Sequence, residues 1–410
     1  MLGFIRMKKF TFCFLLFLVL GLPLTCAYAQ AYQAGAGASQ HQLRLQHRRY
    51  ARGQAGGGWW RLYADGLKNI EKNLNILLGA DVTYNLQRAA PGGKQTAVQG
   101  IYYPFIEWKV LPGGDWGEGV INANYTLVQY WGAEAASLQT RIGAAAGMND
   151  GLNGSESFSQ LTYTHTLPGR WDWLSLTAGQ FSVGNFDSTS YLGNQQTSLM
   201  NASFAQNLSS VYPSAGLGVY GQADYAGWSF AAGYQDATNL SGRTIRFNQA
   251  FDGKYTLFAA LNRTLKNGGF YNVLYYHQPA VPGAPQSANG VSLSAQQPLG
   301  RQWVVFARGN YSSGNIAAVS RSFAAGGGLR DPLKRNEQDV VLFGAAFNRL
   351  NPAGWSAPLA HKQEVVFELQ WVWNLTPWIS FTPDFQLYPK TAQKGRRFAT
   401  AAGLRTTIML

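Results

Sequence analysis

Cysteine is nearly absent from this 410-residue sequence, and both cysteines, Cys13 and Cys26, lie within the first thirty residues. If that segment is removed on export, the mature chain has no disulfide, thiolate metal ligand or thiol nucleophile. Charge is also scarce, because Asp, Glu, Lys and Arg make up only 13 % of the chain, against about 25 % in soluble domains. After the first thirty residues there is no run of eighteen apolar residues, so no later segment predicts a transmembrane helix.

The N-terminal segment has the pattern of a secretory signal peptide. Cations at positions 6, 8 and 9 precede an apolar stretch over residues 10–24, and Ala27-Tyr28-Ala29 forms a small-x-small cleavage site. We therefore expect residues 1–29 to be cleaved during export through the inner membrane.

Basic residues are concentrated directly after this segment. Residues 30–58 are rich in Gly, Ala, Gln and Arg, which predicts a basic, disordered arm. Residues 59–73 predict a short helix that leads into the remaining region, 74–410. Removing the three cations of the signal peptide lowers the formal charge from +13 to +10. An exported chain with a mildly basic main region does not indicate a nucleic-acid partner.

The chain is rich in aromatic residues (14 %) and in glycine (47 residues), and its apolar side chains alternate with polar ones. Residues 120–128, 228–235, 364–374 and 378–388 show this period of two, which favours strands over helices. Applied to the whole chain, the pattern predicts about sixteen strands, at 74–86, 98–111, 117–131, 157–167, 171–183, 216–225, 227–236, 255–264, 270–279, 290–298, 302–311, 316–329, 338–349, 363–374, 377–388 and 398–410.

The lengths of the connections form a second pattern. Even-numbered predicted strands end mostly in short turns, such as Gly300-Arg301, whereas most odd-numbered strands end in longer segments, the longest at 184–215. A connection at 330–337 and another at 312–315 depart from this rule. Bacterial barrels have short periplasmic turns and long outer loops. We therefore predict an all-β fold, a transmembrane antiparallel β-barrel of about 16 strands in the bacterial outer membrane.

Catalytic motifs are missing. Five histidines are present in the mature chain, without a Gly-x-Ser-x-Gly, His-Glu-x-x-His or phosphate-loop motif. Glu364 and Glu368 lie two steps apart on one strand face, about 13 Å from each other, which is too far for joint acid–base chemistry. We expect no enzyme activity, no cofactor and no metal site.

Three groups of segments resemble the OprB family of carbohydrate-selective porins. They comprise residues 177–187 with 200–201, residues 305–311 with 320–326 and 339–340, and residues 364–369 with 375–386. The resemblance covers roughly residues 60–410, and the third group is the most specific. It implies a sixteen-stranded barrel through which glucose and other small sugars diffuse. Gln180 departs from the family pattern, which usually has Lys at that position.

A sugar-selective pore needs hydrogen-bonding side chains on its wall and a loop that narrows it. The predicted inward, sugar-contacting residues are Arg308, Asn310, Glu364, Glu368, Gln370, Asp384, Gln386 and Arg405, to which the resemblance adds Arg321 and Asp339. The alternative for each is that it braces the inner wall. The candidate constriction residues, in and just before segment 184–215, are Gln180, Asn185, Asp187, Tyr191 and Asn194; an outward surface loop is the alternative.

The expected partners are small carbohydrates, the lipid bilayer with its lipopolysaccharide, and the barrel-assembly machinery. A homotrimer and a monomer both stay open. Two other functions also stay open: an export conduit for an exopolysaccharide, with the basic arm docking periplasmic machinery, and a structural envelope-binding barrel. Tryptophans at strand ends, including Trp303 and Trp378, predict an interfacial aromatic girdle.

Overall fold

The computed structural model describes residues 59–410 except positions 92, 94, 150, 152–153, 188, 250–251, 315–316, 356–357 and 377. The expected signal peptide 1–29 and basic arm 30–58 lie outside the described residues. No helix within the described ranges has both the length and the apolar character needed to cross a membrane.

Sixteen strands form one closed antiparallel barrel, in which consecutive strands pair and β1 closes on β16. The strands are β1 Ile76–Ala90, β2 Ala97–Pro112, β3 Glu118–Gly132, β4 Glu156–Thr166, β5 Leu174–Phe181, β6 Gly216–Tyr225, β7 Trp228–Asp236, β8 Tyr255–Thr264, β9 Phe270–Gln278, β10 Ala288–Leu299, β11 Trp303–Ser312, β12 Val319–Arg330, β13 Val340–Leu350, β14 Gln363–Asn374, β15 Ile379–Tyr388 and β16 Ala399–Met409. Each predicted span overlaps one of them, so the predicted fold class is confirmed. Closure pairs every strand on both sides, which a lipid environment requires.

Side chains alternate between the two faces of this sheet. On β14, Leu369 is 52 % exposed whereas the preceding Glu368 is 2 % exposed. The exposed face is apolar and faces lipid, and the other face lines the lumen. Trp228 and Trp303 are exposed at the ends of their strands, in the position of an interfacial girdle.

The two ends of the barrel differ in their connections. We call the end with short connections, such as 226–227 and 300–302, the turn end, and the opposite end the loop end. The longest connections at the loop end are the β3–β4 loop, residues 133–155, and the β5–β6 loop, residues 182–215. By the rule for bacterial barrels, the loop end faces the outside of the cell.

Three α-helices within the described residues accompany the barrel. They are α1 Trp59–Leu74, α2 Ala135–Ile142 in the β3–β4 loop and α3 Ala202–Ala205 in the β5–β6 loop. In α1 the side chains of Ala64 and Leu67 are buried, and the ring of Tyr63 lies 6.5 Å from that of Trp378. Trp378 is only 1 % exposed, so its assignment to the aromatic girdle is wrong. It lies beside α1 instead of facing lipid.

Candidate functional site: the lumen and the loops inside it

Besides the buried acids Asp81 on β1 and Glu107 on β2, the inner wall has a group of buried charges on β11 and β14–β16. Five charged side chains point inward there, each at most 5 % exposed: Arg308, Glu364, Glu368, Asp384 and Arg405. Charges this deeply buried need polar partners. Most of those partners come from the long loops, which fold into the barrel.

Arg405 on β16 holds the β5–β6 loop by its backbone. Its Nη1 atom donates to the carbonyl oxygens of Gln195 and Ser198, at 2.6 Å each, and Nη2 donates to the Thr382 hydroxyl at 3.3 Å. Loop backbone that leaves bulk water must find other partners. The guanidinium, with five donors and no acceptor, provides them for loop carbonyls.

Glu368 on β14 binds the same loop with the opposite polarity. Its carboxylate accepts hydrogen bonds from the backbone nitrogens of Met200 at 2.5 Å and Asn201 at 3.0 Å. The Asn201 side chain in turn donates to Gln386 Oε1 at 3.0 Å and to the Tyr388 hydroxyl at 2.7 Å. The inner wall thus offers an acceptor where the loop presents N–H groups.

Arg308 on β11 lies at the end of α3. Its Nη2 atom donates to the carbonyl oxygens of Ser203 at 3.4 Å, Phe204 at 3.2 Å and Gln206. The last carbonyls of a helix have no partner within the helix, and a cation there also interacts favourably with its dipole. Asn348 adds a hydrogen bond to the Ser203 hydroxyl at 2.9 Å.

Glu364 on β14 binds a different pair of loops. It accepts from the backbone nitrogens of Ala145 and Ala146, at 2.9 and 2.7 Å, and from that of Ala392 at 2.8 Å. The first two belong to the β3–β4 loop and the third to the connection between β15 and β16. One carboxylate therefore joins two loops inside the barrel mouth.

The two long loops also contact each other. The Ala202 nitrogen donates to the Gly147 carbonyl at 2.9 Å. Next to this contact, Gln386 on β15 and Gln87 on β1 both donate to the Met148 carbonyl, at 2.8 and 3.0 Å. The β3–β4 loop is therefore a second inward loop. The sequence interpretation missed it, because its only signal is a Gly- and Ala-rich stretch at 143–147.

Asp187 is the only acidic residue in the sequence of the β5–β6 loop, and it is buried. It accepts hydrogen bonds from Asn207 at 2.6 Å, from the Tyr212 hydroxyl at 3.1 Å and from the Ser292 hydroxyl on β10. Burial raises the pKa of the Asp187 carboxyl above its usual value, although Arg308 and these three donors act to lower it. Burial and the adjacent Asp187 raise the pKa of Tyr212.

The other constriction candidates have different environments. Tyr191 is buried and stacks on Phe306 of β11, with ring centroids 5.6 Å apart. Asn194 accepts from the Gln196 nitrogen at 2.9 Å and so shapes a turn of the loop. Asn185 is exposed.

Gln180 lies outside the constriction. Its amide donates to the carbonyl oxygens of Phe158 at 2.7 Å and Gly242 at 3.1 Å. Gly242 belongs to the connection between β7 and β8. Gln180 therefore fastens that connection to the top of β4, and it does not contribute to the narrowing inside the barrel.

Two residues suggested by the family resemblance are not on the pore wall. Arg321 is exposed on the outer face of β12, where its guanidinium lies 5.4 Å from the Tyr311 ring centroid. Asp339 lies in the turn before β13, 2.5 Å from Arg335, and accepts from the Asn374 nitrogen at 2.8 Å. Arg321 faces outward because side chains alternate along β12, so that Arg321 and Phe323 lie on the same face. Asp339 stabilises the turn before β13.

The remaining candidates face the lumen. Gln370 and Asp384 are opposite each other in the β14–β15 ladder, and both are buried. Gln386 donates to Asp384 at 3.1 Å. The amide of Asn310 lies 2.6 Å from the Ser292 hydroxyl, which also contacts Asp187.

The wall from β4 to β9 has a different chemistry. Polar side chains that the strand register places on its inner face include Thr162, Thr164, Ser175, Thr177, Gln222, Ser229, Asn262 and Asn272. Among the described residues of these strands, Asp224 at the turn end is the single charged side chain on that face. Asn272 donates to Asn262 at 2.5 Å. Apart from Asp224, this part of the wall is uncharged and rich in hydrogen-bonding groups.

A closed sixteen-stranded barrel with an apolar outer band, a polar inner wall and loops folded into its lumen is the architecture of a porin. Solved structures agree on the fold. The chain is similar to a high-pH structure of Pseudomonas putida OprB, with a TM-score of 0.67, 14 % identity and coverage of 84 % of this chain and 97 % of the other. It is also similar to a mutant porin of Rh. blastica, with a TM-score of 0.51, 9 % identity and coverage of 82 % and 100 %.

Sequence comparison defines the family. The model of the carbohydrate-selective porin, OprB family, matches residues 222–410. Porin AaxA of Chlamydia abortus is 30 % identical over 350 residues, which span 82 % of this chain and 78 % of that protein. Porin AaxA of Chlamydia pneumoniae is 29 % identical over 358 residues, 84 % and 81 % of the two chains. The chain belongs to the OprB family of carbohydrate-selective porins, and it is a channel of the bacterial outer membrane.

Proposed function

We propose that the protein lets small neutral sugars diffuse passively through the part of the lumen bordered by β4–β9. The observation that supports this proposal is the difference in charge between the inner wall at β11 and β14–β16 and the inner wall at β4–β9. Arg308, Glu364, Glu368 and Arg405 are engaged by loop backbone, whereas β4–β9 present amides and hydroxyls. A sugar can exchange its hydrogen bonds with water for bonds to these groups, while an ion finds little opposite charge there.

Aromatic rings border the same path. The inward-facing Tyr220 lies 5.2 Å from Phe186 of the β5–β6 loop and 6.1 Å from Phe258, measured between ring centroids. Tyr220 is only partly buried. The Tyr220 ring can offer an apolar face to the C–H side of a sugar and its hydroxyl to the polar rim. This arrangement supports a sugar as the permeating solute over an inorganic ion.

Proteoliposome swelling tests the proposal directly. We expect fast swelling with glucose, slower swelling with larger oligosaccharides and slow swelling with salts of similar osmolarity. Equal rates for glucose and salts would contradict sugar selectivity. Swelling only after deletion of residues 30–72 would instead favour a plugged export conduit for a polysaccharide.

A charged substitution on the inner face of β4–β9 provides a second test. Asn262→Asp keeps the acceptor that Asn272 uses at 2.5 Å and adds a negative charge to the neutral wall. We expect this variant to favour cations over anions in planar-bilayer measurements of reversal potential. The matched control is Asn289→Asp, because Asn289 is exposed and outward-facing at the loop end. If both variants leave ion selectivity unchanged, β4–β9 do not border the permeation path.

A further inference from the structure

The lipid-facing surface has a groove across β10–β12 near the loop end. Its volume is about 380 Å³, and its apolar lining includes Val291, Leu293, Tyr311 and Phe323. Gly309 lies between Leu293 and Phe323 in the strand ladder. Because a Cβ at Gly309 would meet only Phe323, at 3.8 Å, the missing side chain leaves open space that a larger residue would fill.

Two arginines lie near the upper end of this groove, Arg321 in its lining and Arg349 on the neighbouring strand. Arg321 on β12 is directly opposite Arg349 on β13, and both are exposed. Like charges opposite each other destabilise a strand pair. The outward face of the described strand residues from β9 to β14 includes no acidic side chain. The two guanidiniums therefore have no carboxylate beside them on this face.

The arginines lie at the depth of lipid headgroups. Trp303 and Tyr311 both face outward on β11, and their eight-residue separation corresponds to about 26 Å along the strand. With the usual tilt of 35–45° this is roughly 20 Å across the membrane, close to the height of the apolar band of such barrels. Tyr311 and the adjacent Arg321 therefore mark the outer interface.

We propose that this groove binds a phosphorylated, acylated lipid of the outer leaflet. One acyl chain lies over Gly309 between Leu293 and Phe323, and a phosphate is held between Arg321 and Arg349. Two guanidiniums match the geometry of a phosphate, and a bound phosphate cancels their mutual repulsion. An amphiphile with a phosphate and an acyl chain complements both the positive charge at the edge and the apolar groove below it. A second copy of the barrel fits less well, because it would place its own arginines against these arginines. The inference does not depend on the transported solute.

Native mass spectrometry of the purified full-length barrel, titrated with diphosphoryl lipid A, tests this inference. We expect one retained lipid per barrel and weaker retention of a lipid A from which both phosphates have been removed. The double variant Arg321→Gln with Arg349→Gln should weaken binding at least tenfold. Gly309→Leu, which keeps both arginines but fills the groove, should weaken it to a similar extent. Arg263→Gln is the matched control, because Arg263 lies over the Trp228 ring at the turn end.

The heat-modifiable gel mobility and the glucose swelling rate of each variant show whether the barrel has assembled, and both should equal those of the wild type. Unchanged lipid retention in assembled barrels of both variants would overturn the proposal. The proposal would also be overturned if the wild type formed a lipid-free homo-oligomer that dissociated in the Gly309→Leu variant, because the groove would then be a contact between barrels.

Discussion

Replacing Arg405 with methionine should release part of the β5–β6 loop from the barrel wall. The substitution keeps an unbranched side chain of similar reach and removes the two 2.6 Å hydrogen bonds to loop carbonyls. Hydrogen bonds to charged groups contribute about 1.5–3 kcal/mol each. Because both bonds come from one side chain, we take about 3 kcal/mol as their joint contribution to loop docking. At about 1.4 kcal/mol per factor of ten, the displaced population should rise roughly 100-fold.

Single-channel recording in planar bilayers measures this change. The wild type should conduct steadily, whereas Arg405→Met should show frequent transitions to a larger conductance and faster swelling with oligosaccharides. Arg405→Lys, which restores a cation with fewer donors, should fall between them. Arg263→Met on the lipid-facing surface is the control for loss of an arginine and should behave like the wild type.

An assembled Arg405→Met barrel with wild-type conductance and an unchanged oligosaccharide cut-off would refute this reasoning. Loop docking would then depend on other contacts, such as those of Glu368 with Met200 and Asn201. Heat-modifiable mobility on gels identifies preparations in which the barrel has not formed, so that failed assembly is not mistaken for an open loop.

Two further predictions concern the loop and the sheet. Burial raises the pKa of Asp187. The contribution of Asp187 to loop docking should therefore be complete below the ordinary aspartate pKa and should decline as the pH rises through the raised pKa. Conductance fluctuations should increase with pH in the wild type and not in Asp187→Asn. Gly179→Ala should lower the temperature at which the gel mobility changes, because Gly179 has φ +135° and a Cβ there would lie 2.2 Å from the Leu161 carbonyl oxygen. This strain costs about 1–3 kcal/mol, whereas Gly309→Ala, in open space, should be neutral.

The strands could be predicted from the sequence because lipid and lumen impose opposite demands on successive residues. Even Pro104, which interrupts the pattern of β2, lies inside a strand. On the β3 side the ladder pairs Tyr102 with Leu127 and Phe105 with Asn124, without pairs at the two positions between them. The missing N–H of proline therefore falls where the ladder is already interrupted.

The partners of the inward charges could not be predicted. Glu364, Glu368 and Arg405 were expected to contact solutes or to pair with one another. Most of their partners are backbone N–H and C=O groups of the loops, and no sequence pattern distinguishes such groups. The alternation of side chains along β12 places Arg321 on the outer face together with Phe323. The family resemblance instead predicted that Arg321 lines the pore.

Anchoring through the main chain makes part of the attachment of the inward loops independent of their side chains. A substitution within 195–206 that preserves the path of the backbone keeps its bonds to Arg308, Glu368 and Arg405. Selectivity is therefore best altered at the less buried positions of this segment, Gln195, Thr197 and Gln206. For engineering, the features to conserve are the length and curvature of the loop together with the buried side chains of Asn201, Ser203 and Phe204.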